Sequence, residues 1–263
     1  MRFFSIASGS KGNCVCVESG GEAVLIDAGV SIKRVREALD GAGISAEAVK
    51  GIFLTHEHSD HVRYMRYVYS AVRSPIFANL NTIEAVCGKD CSIGCRFYEL
   101  PVAKEAELGT LRVTSFRTSH DAAESVGYTV TDGVSKFSVA TDLGVMTEEV
   151  LIHIRQSDAL VLESNYDENM LKNGIYPLAL QQRILSEHGH LSNDSCAVTA
   201  AALVKGGTRK IVLGHLSENN NTPMVAYTRT VRELEENGIV LQQDVSLMVA
   251  SREKNSALLE VRE

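Results

Sequence analysis

The sequence predicts a mixed α/β (α+β) fold, a four-layer αββα sandwich in which two packed sheets are covered by helices on their outer faces. Short β-rich runs fall in two series along the 263 residues, and helical patterns flank each series. No Pro/Ser-rich linker, low-complexity tract or repeat divides the chain, so we read 1–263 as one domain. Polar residues also follow apolar strand runs: Asp27 after Val-Leu-Ile, His56 after Ile-Phe-Leu-Thr, Asp142 after Ser-Val-Ala-Thr and His215 after Ile-Val-Leu-Gly. His120, after Val-Thr-Ser-Phe-Arg-Thr-Ser, obeys the same rule, which would bring all five to the edge where strands deliver their carboxyl ends.

The first β-rich runs are 2–6, 14–18 and 23–26, separated by Gly-rich turns. A helix is expected at 32–39, a strand at 51–54, a helix at 62–72, a short strand at 75–78 and a helix at 82–86. The middle is mainly β, with runs at 97–100, 111–116, 126–131 and 136–141, and Asp132-Gly133 makes a hairpin turn between the last two. Helix and strand then alternate again. We expect a helix at 147–154, a strand at 159–162, helices near 178–187 and at 193–205, a strand at 210–213, a helix around 224–237 and a last strand near 246–249.

The 44% hydrophobic content is ample for a buried core, and no apolar stretch approaches the eighteen residues of a membrane span. The apolar part of the first ten residues is too short for a signal peptide and reads as a strand, which implies the cytoplasm. Six cysteines then read as reduced thiols rather than a disulfide framework. Cys14, Cys16 and Cys196 look like buried small hydrophobes. Cys87, Cys91 and Cys95 form a Cys-x3-Cys-x3-Cys series, but it lacks the Cys-x2-Cys knuckle of structural zinc sites and a nearby His, so we read free thiols. The formal charge of −7 gives no global attraction to polyanions. Nucleic-acid binding would need local basic surface, for which Lys33, Arg34 and Arg36, or Arg63, Arg66 and Arg73, are candidates; a solvated helix face is the bland alternative.

Residues 55 to 61 read Thr-His-Glu-His-Ser-Asp-His, placing His56, His58, Asp60 and His61 within six positions. Imidazole and carboxylate donors suit zinc and also accept manganese or iron, and four of them in one turn cannot all serve a single tetrahedral ion. Two divalent ions sharing the cluster is the natural geometry.

Asp27, the His56-x-His58-x-Asp60-His61 motif, His120, Asp142 and His215, in this order, resemble the metallo-β-lactamase superfamily from the first strand to about residue 216. The resemblance implies one metal held by His56, His58 and His120, the other by Asp60, His61 and His215, and Asp142 bridging both. Asp27 would orient a ligand imidazole or a loop amide. A Cys commonly stands at the Asp142 position in dizinc β-lactamases, so antibiotic hydrolysis is not expected. His190, in Gly-His-Leu-Ser-Asn, lies 25 residues before His215, where the phosphodiesterase branch carries its proton donor; His190 and Asp60 are therefore the catalytic candidates. His188 is a rival donor, and a plain helix-start role beside an N-capping Ser192 is the alternative for His190. His153, on an amphipathic helix, reads as structural.

Ser8-Gly9-Ser10-Lys11-Gly12-Asn13-Cys14, Glu163-Ser164-Asn165, Gly189 to Asn193 and Gly214-His215-Leu216-Ser217-Glu218-Asn219-Asn220 are similar to the WalJ/YycJ group of this superfamily. That group implies a single-domain 5′-to-3′ exonuclease acting on DNA, with Asn13 and Ser192 as candidate substrate contacts. A Gly-rich hairpin turn explains Gly9 and Gly12 equally well. Tyr64 departs from the superfamily, where Gly often stands three residues after the last motif His; core packing or base stacking are its two readings. A chain of this length has no room for the extra domain of the ribonuclease J type. The other readings are a hydrolase of thioesters, lactones or cyclic phosphodiesters on the same metals, and a non-catalytic scaffold. The second conflicts with seven intact ligand positions. A redox diiron role conflicts with His58, where flavin-linked relatives carry Glu.

Overall fold

The computed structural model describes residues 1–88 and 94–262. Two seven-stranded sheets stack face to face among these residues. The first contains β1 (Arg2–Ala7), β2 (Cys14–Ser19), β3 (Glu22–Ile26), β4 (Val49–Phe53), β5 (Ile76–Ala78) and β6 (Phe97–Glu99), with β14 (Leu259–Glu260) added beside β1. The second runs from β7 (Glu105–Leu108) through β8 (Leu111–Arg117), β9 (Val126–Thr131), β10 (Lys136–Ala140), β11 (Ala159–Glu163) and β12 (Lys210–Gly214) to β13 (Ser246–Val249).

The two-residue period of a strand explains the four layers. Val24 and Ile26 of β3 join Phe53, Tyr128, Phe137, Val139 and Val161 between the sheets, while Ala23 and Leu25 face outward. The outward face of the first sheet is covered by α1 (Ile32–Gly41), α3 (Met65–Val72) and α4 (Leu80–Cys87). The corresponding face of the second packs against α5 (Glu148–Ile154), α8 (Asn193–Lys205) and α9 (Pro223–Glu236). Strands buried on both faces need apolar residues at every position, which is why β11 reads Ala-Leu-Val-Leu before its terminal Glu163.

β3 to β6 run parallel to one another, as do β10 to β13, so their carboxyl ends face one way within each sheet. Asp27, Asp142 and His215 leave β3, β10 and β12 with φ of 63, 60 and 54°. Left-handed backbone in a non-glycine residue costs on the order of 1–3 kcal/mol and persists where surroundings fix it.

Several boundaries differ from the sequence expectation. The helix expected at 62–72 is two pieces, α2 (Ser59–Val62) and α3, because the Tyr64 amide donates to Ala28 O at 3.0 Å instead of continuing the helical ladder. β7, β14, a 3₁₀ turn at Ala46–Ala48 and α6 (Glu168–Lys172) were not expected. Cys14, Cys16 and Cys196 are buried, whereas Cys87 and Cys95 are partly buried; Cys91 lies outside the described residues. No described helix is long and apolar enough to cross a membrane.

Candidate metal centre

His56 and His61 of the motif, with His120 and His215, are held from behind, whereas the His58 ring nitrogen faces His120 within the cluster. The Thr55 hydroxyl lies 3.0 Å from both Asp27 oxygens and 3.0 Å from Nδ1 of His56. Its proton given to Asp27, the hydroxyl can only accept, so Nδ1 of His56 carries the proton and Nε2 presents a lone pair. His61 Nδ1 donates to Asp27 Oδ2 at 2.7 Å, His120 Nδ1 to Gly189 O at 2.9 Å, and His215 Nδ1 to Glu163 Oε1 at 2.9 Å. Four rings thus point Nε2 inward, and such outer partners fix tautomer and orientation in metal sites.

The inward atoms converge. His56, His58 and His120 form one group of donors, Asp60, His61 and His215 a second, and Asp142 joins His56 and His61 in a third; within each, the donor atoms lie within 4.8 Å of one another. His58 Nδ1 is 3.4 Å from His120 Nε2, and Asp60 Oδ2 is 3.4 Å from Nε2 of both His61 and His215. Asp142 Oδ2 stands 3.4 Å from His61 Nε2, and its Oδ1 stands 3.6 Å from His120 Nε2. These separations are long for hydrogen bonds. They match the edge of about 3.4 Å that a tetrahedron of donors subtends at metal–ligand bonds of about 2.1 Å. His56 Nε2 and Asp142 Oδ2 are buried with no hydrogen-bond partner, an arrangement that an uncharged cavity would penalise. The donor set therefore fits divalent metal cations.

The local electrostatics call for positive charge at the same place. Against the penalty of burial, neighbouring histidines hold Asp60 and Asp142 below the usual carboxylate range. Burial also opposes protonation of His61 and His215, yet Asp27, Asp142 and Asp60 raise the first well above its ordinary value. Asp142, Asp60 and Glu163 push the second to about 10. His56 and His120, among other imidazoles, are lowered chiefly by burial.

His190 stands beside this cluster, its ring 5.0 Å from His120 and 5.3 Å from His215 between centroids. Its Nδ1 donates to Glu163 Oε1 at 2.8 Å. Glu163 itself is fully buried, accepts from the amides of Leu143 and Leu191, and stays ionised despite burial because His190 and His215 flank it. Neither Glu163 nor Thr55 was assigned a role from sequence, although Glu163 ends β11 as Asp27 and Asp142 follow β3 and β10.

The other sequence candidates fall around this centre. The Asn13 amide donates to Gly9 O and reaches Asp60 Oδ2 at 3.3 Å and His61 Nε2 at 3.1 Å, so it braces the motif from within the protein. Ser192 caps α8 by accepting from the Ser195 amide. His188 is exposed, with Nδ1 3.4 Å from Ser119 Oγ, and His153 stacks on Phe116. Tyr64 packs partly buried against the core of the first sheet. Lys33 pairs with Glu37 and Arg34 donates to Arg252 O, whereas Arg63, Arg66 and Arg73 are exposed.

The family model of the beta-lactamase superfamily domain matches residues 22–216. Exodeoxyribonuclease YycJ of Bacillus anthracis is 34% identical over 239 residues, covering 90% of each chain. Exodeoxyribonuclease WalJ of Streptococcus pneumoniae is 30% identical and covers 99% of this chain and 98% of its own. The metallo-beta-lactamase fold protein YhfI of Bacillus subtilis superposes with a TM-score of 0.70 at 15% identity, over 97% of this chain and 98% of its own. With two stacked sheets, helices outside both and a His/Asp cluster at the strand ends, the chain belongs to the beta-lactamase superfamily, in its metallo-β-lactamase fold.

Proposed function

We propose that the chain is a dimetal phosphodiesterase that degrades DNA as a 5′-to-3′ exonuclease. The observation that carries this reading is the Glu163–His190 pair set against a seven-residue donor cluster. His56, His58 and His120 would hold one ion, Asp60, His61 and His215 the other, with Asp142 shared. Zinc or manganese suits these N/O donors, and iron is a third option. Bound there, two divalent ions lower the pKa of water and neutralise charge developing on the phosphate.

The protein residues supply the rest. Glu163 fixes the His190 tautomer, so the free nitrogen can carry a proton to the departing alkoxide. A thiolate leaves without such help, which sets the phosphodiester reading above a thioester one. Names of relatives sharing 90% or more of the chain, both exodeoxyribonucleases, favour DNA over a small phosphodiester. The test is cleavage of 5′-labelled single-stranded and duplex DNA by metal-loaded protein beside a His58→Ala, Asp60→Ala double variant. We expect activity only in the parent; equal activity in both proteins overturns the assignment.

A further inference from the structure

A cavity of about 140 Å³ opens directly beside His190. Leu180, Ile184 and Tyr176 give it an apolar wall, and Ser10, Ser217 and Arg183 line its polar side. Leu180 and Ile184 come from α7 (Leu178–Leu185), where they pack with Tyr166, Leu171 and Tyr176 in a small satellite core. Drug-sized ligands occupy pockets of about 300–1,000 Å³, and a cavity of about 150 Å³ holds one benzene-sized ring. This one, open on one side, therefore takes at most a single base with its sugar left at the mouth. Arg183 at the rim is paired with Asp121, so no strongly basic floor is offered.

Position decides what such a pocket receives. Resting on the proposed function, His190 protonates the leaving oxygen, so a cavity at His190 lies on the leaving-group side of the scissile phosphate. We infer that this cavity is the subsite for the terminal nucleoside, and that its size makes the enzyme release one nucleotide at a time. When the P–O3′ bond breaks, its electron pair goes to O3′, which takes the His190 proton. The oxygen of water stays on the phosphate of the remaining strand. The unit that departs with a 3′-hydroxyl is the 5′-terminal nucleotide, so a closed leaving side imposes 5′-to-3′ polarity. A 3′-to-5′ enzyme would instead have to pass the whole polymer through this space. The apolar wall suits a base face and the polar side suits the sugar.

The test uses the metal-loaded protein and oligonucleotides carrying a bulky base adduct on the first, or on the last, nucleotide. The 5′ adduct is expected to slow the first release by about tenfold or more, and the 3′ adduct to leave it unchanged. Leu180→Trp, which fills the cavity, should lower kcat/KM on unmodified DNA by about 5- to 100-fold with metal content unchanged. Leu180→Ala should restore cutting of the 5′-blocked strand. The chain has no tryptophan. Tyr176→Trp therefore gives a binding signal, a saturable fluorescence change on adding a deoxynucleoside 5′-monophosphate, that the added Leu180→Trp change should abolish or weaken. Equal sensitivity to the two adducts, or products of several nucleotides from the outset, overturns the subsite while leaving a nuclease. Failure to cleave any DNA overturns the function as well.

Discussion

In the proposed reaction His190 and the four inward-pointing imidazoles would carry the chemistry, because each has one nitrogen already committed to a neighbour. Asp27, Thr55, Glu163 and the Gly189 carbonyl set those tautomers, and the substrate-side atoms follow from them. That these His and Asp residues cluster was legible in residue types and order, since the His56 to His61 spacing needs no fold to be recognised. Glu163 was not readable as a partner, because it lies 27 residues from His190 and meets it only when β11 and the α8 entry loop come together. His190→Ala should lower kcat on DNA by about 10²- to 10⁴-fold, the usual contribution of a positioned acid. The same variant should hydrolyse a p-nitrophenyl phosphodiester at nearly the parent rate, since nitrophenolate departs unprotonated. Steady-state kinetics on both substrates, with metal content measured in parallel, distinguish this from loss of a ligand.

Among elements, the metal motif is seated by backbone rather than by side-chain packing. Asn13 N donates to Asp60 O, Gly29 N to Asn13 O and Ala28 N to His61 O, so the loops after β1 and β3 grip the motif from below. A methyl group at Gly29 would collide with the Asp60 carbonyl oxygen. Gly29→Ala should therefore cost about 3 kcal/mol or more, as overpacking against backbone does, and should reduce metal retention, read by thermal melting and elemental analysis. The split of the helix expected at 62–72 has the same origin, a tertiary hydrogen bond to Ala28 that no local propensity encodes. β7 was missed because Glu-Ala-Glu-Leu offers only two apolar residues and lies on an edge.

The expected Asp132-Gly133 hairpin turn is present and does more than reverse the chain. Asp132 accepts from the Ser135 amide at 2.7 Å and from the Ser19 hydroxyl of the other sheet at 2.7 Å. Partial burial works to raise its pKa, but these bonds hold it below the usual carboxylate range. A depressed folded-state pKa gives stability that is present above the unfolded value of about 3.9 and lost as pH falls through the folded value. Asp132→Asn should thus cost about 1–2 kcal/mol at neutral pH. Melting curves of parent and variant should converge as the pH drops below about 4.

At the scale of the whole molecule, two parallel strand sets aim their carboxyl ends at one edge, which is how residues as distant as Asp27 and His215 come to share a centre. The alternation of strand series with helices made the four layers legible, and the polar residue after each apolar run made the edge legible. What needed the structure was the cavity beside His190, because its walls come from α7 and from the loops around Ser10 and Ser217. The central claim, two ions acting together on a phosphodiester, is tested most directly by the DNA-cleavage rate of metal-stripped protein as metal is titrated back. We predict negligible rate without metal and a rise that completes only with the second bound equivalent per chain. Full activity in the stripped protein, or a rate that saturates at one equivalent, would contradict it.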